Sequence, residues 1–133
     1  MNIAKLQKIY RRIFWAGYIA VIVAATLPFF GNLDKTRVEL VLFEIRLDHL
    51  LHFFAYFIIS MYYVGGRILE MDLFNRRSLV KFLTVTVLLA TVTEVIQLWV
   101  PSRAFNIFDW LSNVTGIFAG IFIGFGKVLN IKR

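Results

Sequence analysis

The chain has 133 residues, which is enough for one domain, and 59% of them are hydrophobic, with a mean hydropathy of +0.74. A soluble core of this size would leave much of that apolar surface in water, so the composition excludes an ordinary globular domain and predicts a membrane protein. The net charge of +7 does not indicate a nucleic-acid partner, because the basic residues form short clusters between apolar runs and no nucleic-acid motif accompanies them. The lack of cysteine excludes disulfides and thiolate chemistry.

The first apolar run, Ile13–Phe30, follows a basic amino-terminal segment. About 18 helical residues reach roughly 27 Å, close to the thickness of the bilayer core, so the run predicts a first membrane span. A cleaved signal peptide is the competing interpretation, since Val23, Ala24 and Ala25 put small residues after the apolar stretch. The length of the run and the three further spans favour a membrane helix.

Residues 31–47 form a loop of mixed charge whose structure the pattern leaves open. Val38, Leu40 and Leu42 alternate as in a strand, whereas Val38, Leu42 and Ile45 also fit a short interfacial helix. Periodicity does not decide between the two for so short a run.

Three more apolar stretches predict the remaining spans, at Asp48–Gly66, Phe82–Val100 and Asp109–Gly126, with Pro101 ending the third. Most of the 15 lysines and arginines lie before the first span, between the second and third, and after the fourth. By the positive-inside rule, both termini are therefore cytoplasmic, and the first and third loops face outward. The sequence thus predicts an all-α membrane bundle of four transmembrane helices in a single domain, residues 1–133.

This topology brings polar residues of the last three spans to one end of the bundle, near the outer face. They lie at matching depths: Asp48, Arg103 and Asp109 at the rim, His52, Gln97 and Asn113 about one turn deeper, and Tyr56, Glu94 and Gly116 about two turns deeper. Within each span, the polar residues are three or four positions apart, which places them on one face of the helix. On the fourth span the stripe continues through Gly116, Gly120 and Gly124, which predicts the close approach of a neighbouring helix.

The order and spacing of these residues resemble the VanZ-like family of small bacterial membrane proteins. The resemblance rests on two blocks: Asp48-x-x-x-His52, and then Glu94-x-x-Gln97, Pro101-x-Arg103, Asp109, Asn113, Gly116 and Gly120. It covers the last three spans. One departure is His49, which stands where the family often has a lysine directly after the first aspartate.

The resemblance implies a multi-pass protein of the bacterial inner (plasma) membrane with a role in the cell envelope. The founding member of the family is associated with low-level resistance to the glycopeptide teicoplanin. No agreed biochemical activity comes with the family, so the resemblance implies a setting and not a reaction.

Two interpretations of the polar residues follow from their chemistry. In the first, Asp48 and Asp109 cap their helices, and the remaining residues pin three helix ends as a structural network. In the second, the residues form an outward-facing pocket for an envelope lipid or its headgroup, with His52 and Glu94 as the candidate catalytic acid–base pair. The candidate binding residues are Asp48, Tyr56, Gln97, Arg103, Asp109 and Asn113, of which the Arg103 guanidinium suits a phosphate.

A metal site is a third hypothesis, with Asp48, His52, Glu94 and Asp109 as weaker candidate ligands. One imidazole with carboxylates suits Mn, Fe or Zn, and the oxygens alone suit Mg or Ca. His49 is left out of this set because it points about 100° away from the face of Asp48. The residues identify neither a cofactor nor an oligomeric state. They do not decide between turnover and a non-enzymatic protein that binds or shields an envelope component. Membrane lipids are the expected partners, and an envelope lipid or a glycopeptide is the candidate ligand.

Overall fold

The computed structural model describes residues 3–26, 37–40, 43–74, 77–100 and 105–131. In these ranges the chain forms four helices and two short strands. In chain order they are α1 (Ile3–Thr26), β1 (Arg37–Leu40), β2 (Phe43–Arg46), α2 (Leu47–Ile68), α3 (Ser78–Gln97) and α4 (Ile107–Ile131). The helical architecture predicted from the sequence is therefore confirmed, with a small hairpin added before α2.

Three helices are long and apolar enough to cross a membrane, namely α2, α3 and the Ile107–Gly126 part of α4. They correspond to the second, third and fourth predicted spans. The third begins earlier than predicted, at Ser78, and ends at Gln97. The first predicted span, Ile13–Phe30, overlaps the second half of α1, and its residues 27–30 lie outside the described residues, as does Pro101.

The segment before α2 is an antiparallel β-hairpin. Strands β1 and β2 pair in the register Arg37 with Arg46 and Leu40 with Phe43. Of the two patterns that the sequence leaves open here, strand alternation is correct for the described residues, and the short helix is wrong. The second strand runs directly into α2, so the hairpin lies at the end of α2 that carries the polar residues.

Helices α2 and α4 approach each other closely because α4 presents glycine at the contact. A Cβ atom added at these positions would lie 2.3 Å from the Phe53 carbonyl oxygen at Gly116, 2.6 Å from Ser60 Cβ at Gly120 and 2.7 Å from Val64 Cγ1 at Gly124. Real Cβ atoms do not tolerate such distances, so the glycines allow the contact. The predicted small-residue interface is thus between α4 and α2.

Helix α1 is held to the other end of α2 mainly by aromatic side chains. Tyr10 and Phe14 are buried, and the Tyr10 ring stacks on Tyr62 with centroids 4.9 Å apart. The Tyr63 ring stacks on Phe82 of α3 at 4.2 Å. This aromatic cluster packs three helices together at the end of the bundle away from the polar residues.

The cap of α4 is Asn106. Its side-chain oxygen accepts a hydrogen bond from the Phe108 backbone N–H at 3.0 Å, as an N-cap residue does. Asp109 is the third residue of α4, within its first turn, and is buried, so the N-cap position belongs to Asn106 and the prediction that Asp109 occupies it is wrong. Asp48 likewise lies within the first turn of α2. Both carboxylates are still placed favourably with respect to the helix dipole.

The glycine contact predicts a position-specific loss of stability. We expect Gly116→Ala to lower the free energy of unfolding by about 1–3 kcal/mol, because its methyl group would overlap the backbone of Phe53. Gly126→Ala, on the same helix with nothing within 4 Å of its added Cβ, is the matched control and should be neutral or slightly stabilising. Unfolding in mixed detergent micelles measures both. Equal stabilities of the two variants would contradict the proposed contact.

Candidate functional site

One buried amide joins three helices at the polar end of the bundle. The amide nitrogen of Asn113, on α4, donates a hydrogen bond to Glu94 Oε1, on α3, at 3.2 Å. Its oxygen lies 3.0 Å from Nδ1 of His52, on α2. Asn113 and Glu94 are both 0% exposed, and His52 Nδ1 also lies 3.6 Å from Glu94 Oε1. The three predicted site residues therefore meet within a single contact network.

This network fixes which ring nitrogen of His52 carries a proton. Because the Asn113 amide nitrogen donates to Glu94, the Asn113 oxygen is left as an acceptor, and Nδ1 of His52 is the group that donates to it. The other ring nitrogen, Nε2, faces Asp48, with its Oδ1 at 3.5 Å. The imidazole is thus oriented by Asn113 on one side and directed at the helix ends on the other.

Two aspartates and a second histidine complete the rim of the site. Asp48 and Asp109 are 6% and 4% exposed. One ligand atom from each of these aspartates and from His52 lies within 4.8 Å of the others. His49 Nε2 lies 3.1 Å from Asp109 Oδ1. We define the polar cluster as Asp48, His49, His52, Glu94, Asp109 and Asn113.

The polar cluster concentrates acidic groups in a place with little water. Its three carboxyl groups, on Asp48, Glu94 and Asp109, are all buried, and its two imidazoles are both in contact with carboxylates. Ionised carboxylates at such a depth are costly unless protons, cations or hydrogen-bond donors compensate them. The cluster therefore holds carboxyl groups that must be protonated, hydrogen-bonded or balanced by a cation.

Two other predicted binding residues lie close to the cluster. The Tyr56 hydroxyl is 3.2 Å from Thr93 Oγ1, which itself donates to backbone carbonyls of α3, so Tyr56 donates to Thr93. Tyr56 and Glu94 lie at the same predicted depth, but the hydrogen-bond partner of Tyr56 is Thr93. Gln97 is buried one turn beyond Glu94, at 2% exposure. Arg103, the predicted phosphate-binding residue, lies outside the described residues.

His49 belongs to the site although it is not among the candidate residues predicted from the sequence. It points about 100° away from the face of Asp48 on α2, but that angle does not prevent a contact with another helix. The structure places its ring on Asp109 of α4. The family resemblance could have indicated His49, because it occupies the position where the family often has a lysine.

A lateral groove leads from the side of the α2–α4 pair to the polar cluster. Its volume is about 290 Å³, and it is lined by His49, Leu50, Phe53, Phe108, Leu111, Ser112 and Thr115. Phe108 and Leu111 are 62% and 45% exposed, so the groove opens toward the surroundings of the bundle. His49 is both a wall of this groove and a contact of Asp109.

A family model described as VanZ/LLP1 matches residues 12–129. No curated protein and no solved structure matches the chain. The match spans all of the polar cluster and the glycine stripe of α4.

The three-helix network predicts that Glu94 and Asn113 are energetically coupled. We expect Asn113→Ala to lower the free energy of unfolding by about 1–3 kcal/mol, because it removes a donor from a buried carboxyl group. The loss should be smaller by about 0.5–3 kcal/mol in a Glu94→Leu background, which leaves the Asn113 amide no acceptor at this position. A double-mutant cycle in mixed micelles measures this.

The control for the cycle is Thr115→Val. Thr115 is on the same helix, and its hydroxyl donates only within α4, to the Leu111 carbonyl. It should show no coupling to Glu94→Leu. Additive losses for Glu94 and Asn113 would mean that the hydrogen bond between them does not contribute to folding.

Proposed function

Since the chain belongs to the VanZ/LLP1 family, we propose that it is a membrane protein that binds a lipid or lipid-linked component of the cell envelope, and that this gives low-level tolerance of teicoplanin-type glycopeptides. The observation that carries the proposal is the position of His49. This side chain lines the lateral groove and also contacts Asp109 of the polar cluster. One molecule with an apolar chain and a polar head can therefore occupy both.

The two parts of such a ligand match the two parts of the site. The groove is lined largely by apolar side chains, such as Leu50, Phe53 and Leu111, which suit an acyl or isoprenoid chain already in the bilayer. The polar cluster offers carboxylates and imidazoles, which suit the hydroxyl, amine or metal-bridged phosphate groups of a headgroup. Arg103 follows α3 in the sequence and is our candidate for direct contact with phosphate.

The orientation we propose places this site at the outer surface of the inner (plasma) membrane. Both termini are cytoplasmic, α1 belongs to a fourth span, and residues 1–133 form one domain. Support comes from the distribution of lysine and arginine and from the burial of Tyr10 and Phe14 of α1 against the other helices. The polar end of α2 then faces the side on which envelope precursors are used.

His52 and Glu94 are our candidates for acid–base chemistry if the ligand is modified. Nδ1 of His52 is held by Asn113, so Nε2 is the ring nitrogen directed at the rim of the site. Glu94 acts on the imidazole of His52 in two ways. It accepts a hydrogen bond from Asn113, and its Oε1 lies 3.6 Å from Nδ1 of His52. This resembles a base oriented by a third group, a general arrangement in proton transfer. Tyr56, Gln97, Asp48 and Asp109 are the proposed binding residues around this pair.

A non-enzymatic role is the second candidate, and the burial of the network favours it. Glu94 and Asn113 are 0% exposed, so they hold three helix ends together and need not touch a ligand. In that case the protein binds or shields the envelope component without turnover. The distinction lies in whether the bound lipid is recovered unchanged.

The lateral groove gives the first test of ligand binding. We expect Thr115→Trp, which fills the groove, to weaken binding of a short polyprenyl phosphate about tenfold, or roughly 1.4 kcal/mol. Phe118→Trp is the matched control, since Phe118 is 54% exposed on the same helix and does not line the groove. Native mass spectrometry in detergent measures both. Equal affinities for the two variants would place the lipid elsewhere.

The physiological proposal is tested in a glycopeptide-susceptible bacterium that expresses the protein. We expect expression to raise the inhibitory concentration of teicoplanin, and His52→Ala and Glu94→Gln to abolish the rise, because both remove groups of the polar cluster. Glu70→Gln, an exposed acid at the opposite end of α2, should keep it. Membrane levels of all variants are compared by immunoblot. If correctly expressed His52→Ala gives full tolerance, the polar cluster is not the functional site.

A further inference from the structure

Three side chains of the polar cluster have the geometry of a metal site. The ligand atoms of Asp48, His52 and Asp109 all lie within 4.8 Å of one another. Metal–ligand distances of about 2.0–2.5 Å place two ligand atoms up to about 4–5 Å apart across the ion. The cluster could therefore close on an ion with small side-chain movements. Two of these residues come from α2 and one from α4, the closest pair of helices, so the backbone already fixes their distance.

The hydrogen bond between His52 and Asn113 leaves the other ring nitrogen of His52 available to a cation. Nδ1 of His52 donates to the Asn113 oxygen, so a neutral imidazole presents the lone pair of Nε2 toward Asp48 Oδ1, 3.5 Å away. Two electron-rich atoms that face each other need a proton or a metal ion between them. Metal-binding histidines almost always donate their other ring N–H to a carbonyl or carboxylate. The side-chain oxygen of Asn113 is that acceptor. The amide nitrogen of Asn113 donates to Glu94, and this hydrogen bond polarises the amide.

Glu94 provides an independent observation. The residue is 0% exposed, and its Oε2 has no hydrogen-bond partner within the described residues. A buried carboxyl oxygen without a protein partner requires an explanation, and a nearby ion is one that fits this cluster. Its Oε1 contacts both His52 and Asn113, so Glu94 acts on the proposed site through these two residues and does not ligate the ion.

From these observations we propose that Asp48, His52 and Asp109 bind one divalent metal ion, Mn²⁺ or Zn²⁺. One imidazole and two carboxylates form the mixed donor set that such ions accept. Three protein ligands leave coordination positions for water or for an oxygen of the bound headgroup, as in sites that act on a ligand. This deepens the proposed function on which its role rests, because an ion would let an acidic cluster hold a phosphate.

The proposal differs from the sequence hypothesis in the position of Glu94. From the sequence, Glu94 is one of four candidate metal ligands. The contacts place it with Asn113, on the side of His52 away from Asp48, where it orients the ligand. Glu94 is therefore a positioning residue, and Glu94→Gln should weaken metal binding without abolishing it.

The competing state is a metal-free network in which His52 is an imidazolium that donates to both Asn113 and Asp48. Elemental analysis separates the two states. Full-length protein, purified in detergent without chelators and dialysed, should contain about one Mn or Zn per chain. After treatment with EDTA, calorimetric titration with Mn²⁺ and with Zn²⁺ should restore one site for at least one of them. The absence of metal after purification together with no binding of either ion would overturn the proposal.

Variants then assign the ligands. His52→Ala, Asp48→Asn and Asp109→Asn should each lose the site, and Asn113→Ala should weaken it about 10–100-fold, as expected for a residue that orients a ligand. The two Asp→Asn changes keep size and hydrogen-bonding capacity, and thermal unfolding without metal confirms folding. Glu70→Gln, a distant exposed acid, should bind as the wild type does. Unchanged binding by His52→Ala would place the ion elsewhere and refute the assignment.

Lipid binding after metal removal separates this inference from the proposed function. If EDTA-treated protein and Asp48→Asn bind the polyprenyl phosphate as tightly as untreated wild type, the lipid site stands and the role of the metal is refuted. If the metal binds as predicted and no lipid does, the metal site stands and the proposed function fails. A loss of lipid binding of at least tenfold on metal removal supports both.

Discussion

The buried carboxyl group of Glu94 constrains how the three long helices pack. An acid inside an apolar helix is costly in lipid unless other groups compensate it. Compensation here comes from Asn113 on α4 and His52 on α2, which both contact Glu94 Oε1. Helix α3 therefore cannot rotate or slide along the other two without leaving this oxygen exposed to hydrocarbon. A single acid thus specifies rotation and depth for three helices, which apolar side chains alone do poorly because lipid competes equally for them.

The close contact of α2 and α4 makes this network possible. Gly116 lies one turn from Asn113 and touches the backbone of Phe53, the neighbour of His52. The absence of a side chain at Gly116 thus sets the helix separation at which the Asn113 oxygen reaches His52 at 3.0 Å. Separation by about 1 Å more would lose most of that hydrogen bond. The glycine stripe and the polar cluster therefore depend on each other. Glycine packing sets the distance between α2 and α4, and the polar contacts set the rotation of the helices about their axes.

The sequence was sufficient to predict the helical class, three of the spans and the end of the bundle at which polar residues meet. These follow from hydrophobic length and from depth along each helix, both of which can be counted along the chain. The contacts of His49 with Asp109 and of Tyr56 with Thr93 were not predictable in this way, because they depend on the angle between two helices. The Asn106 cap and the hairpin depend on short local patterns that fit more than one structure.

The amount of negative charge in the cluster argues for a role beyond helix pinning. A structural network of this kind can be built from neutral groups, and replacing buried ion pairs by neutral side chains is often harmless or stabilising. Asn113 alone could join the three helices through neutral partners. The chain nevertheless keeps three buried carboxyl groups around one oriented imidazole, beside a groove that is open to the surroundings of the bundle. Stability does not require that charge, which is why we propose that it serves to bind a cation, or a ligand held by one.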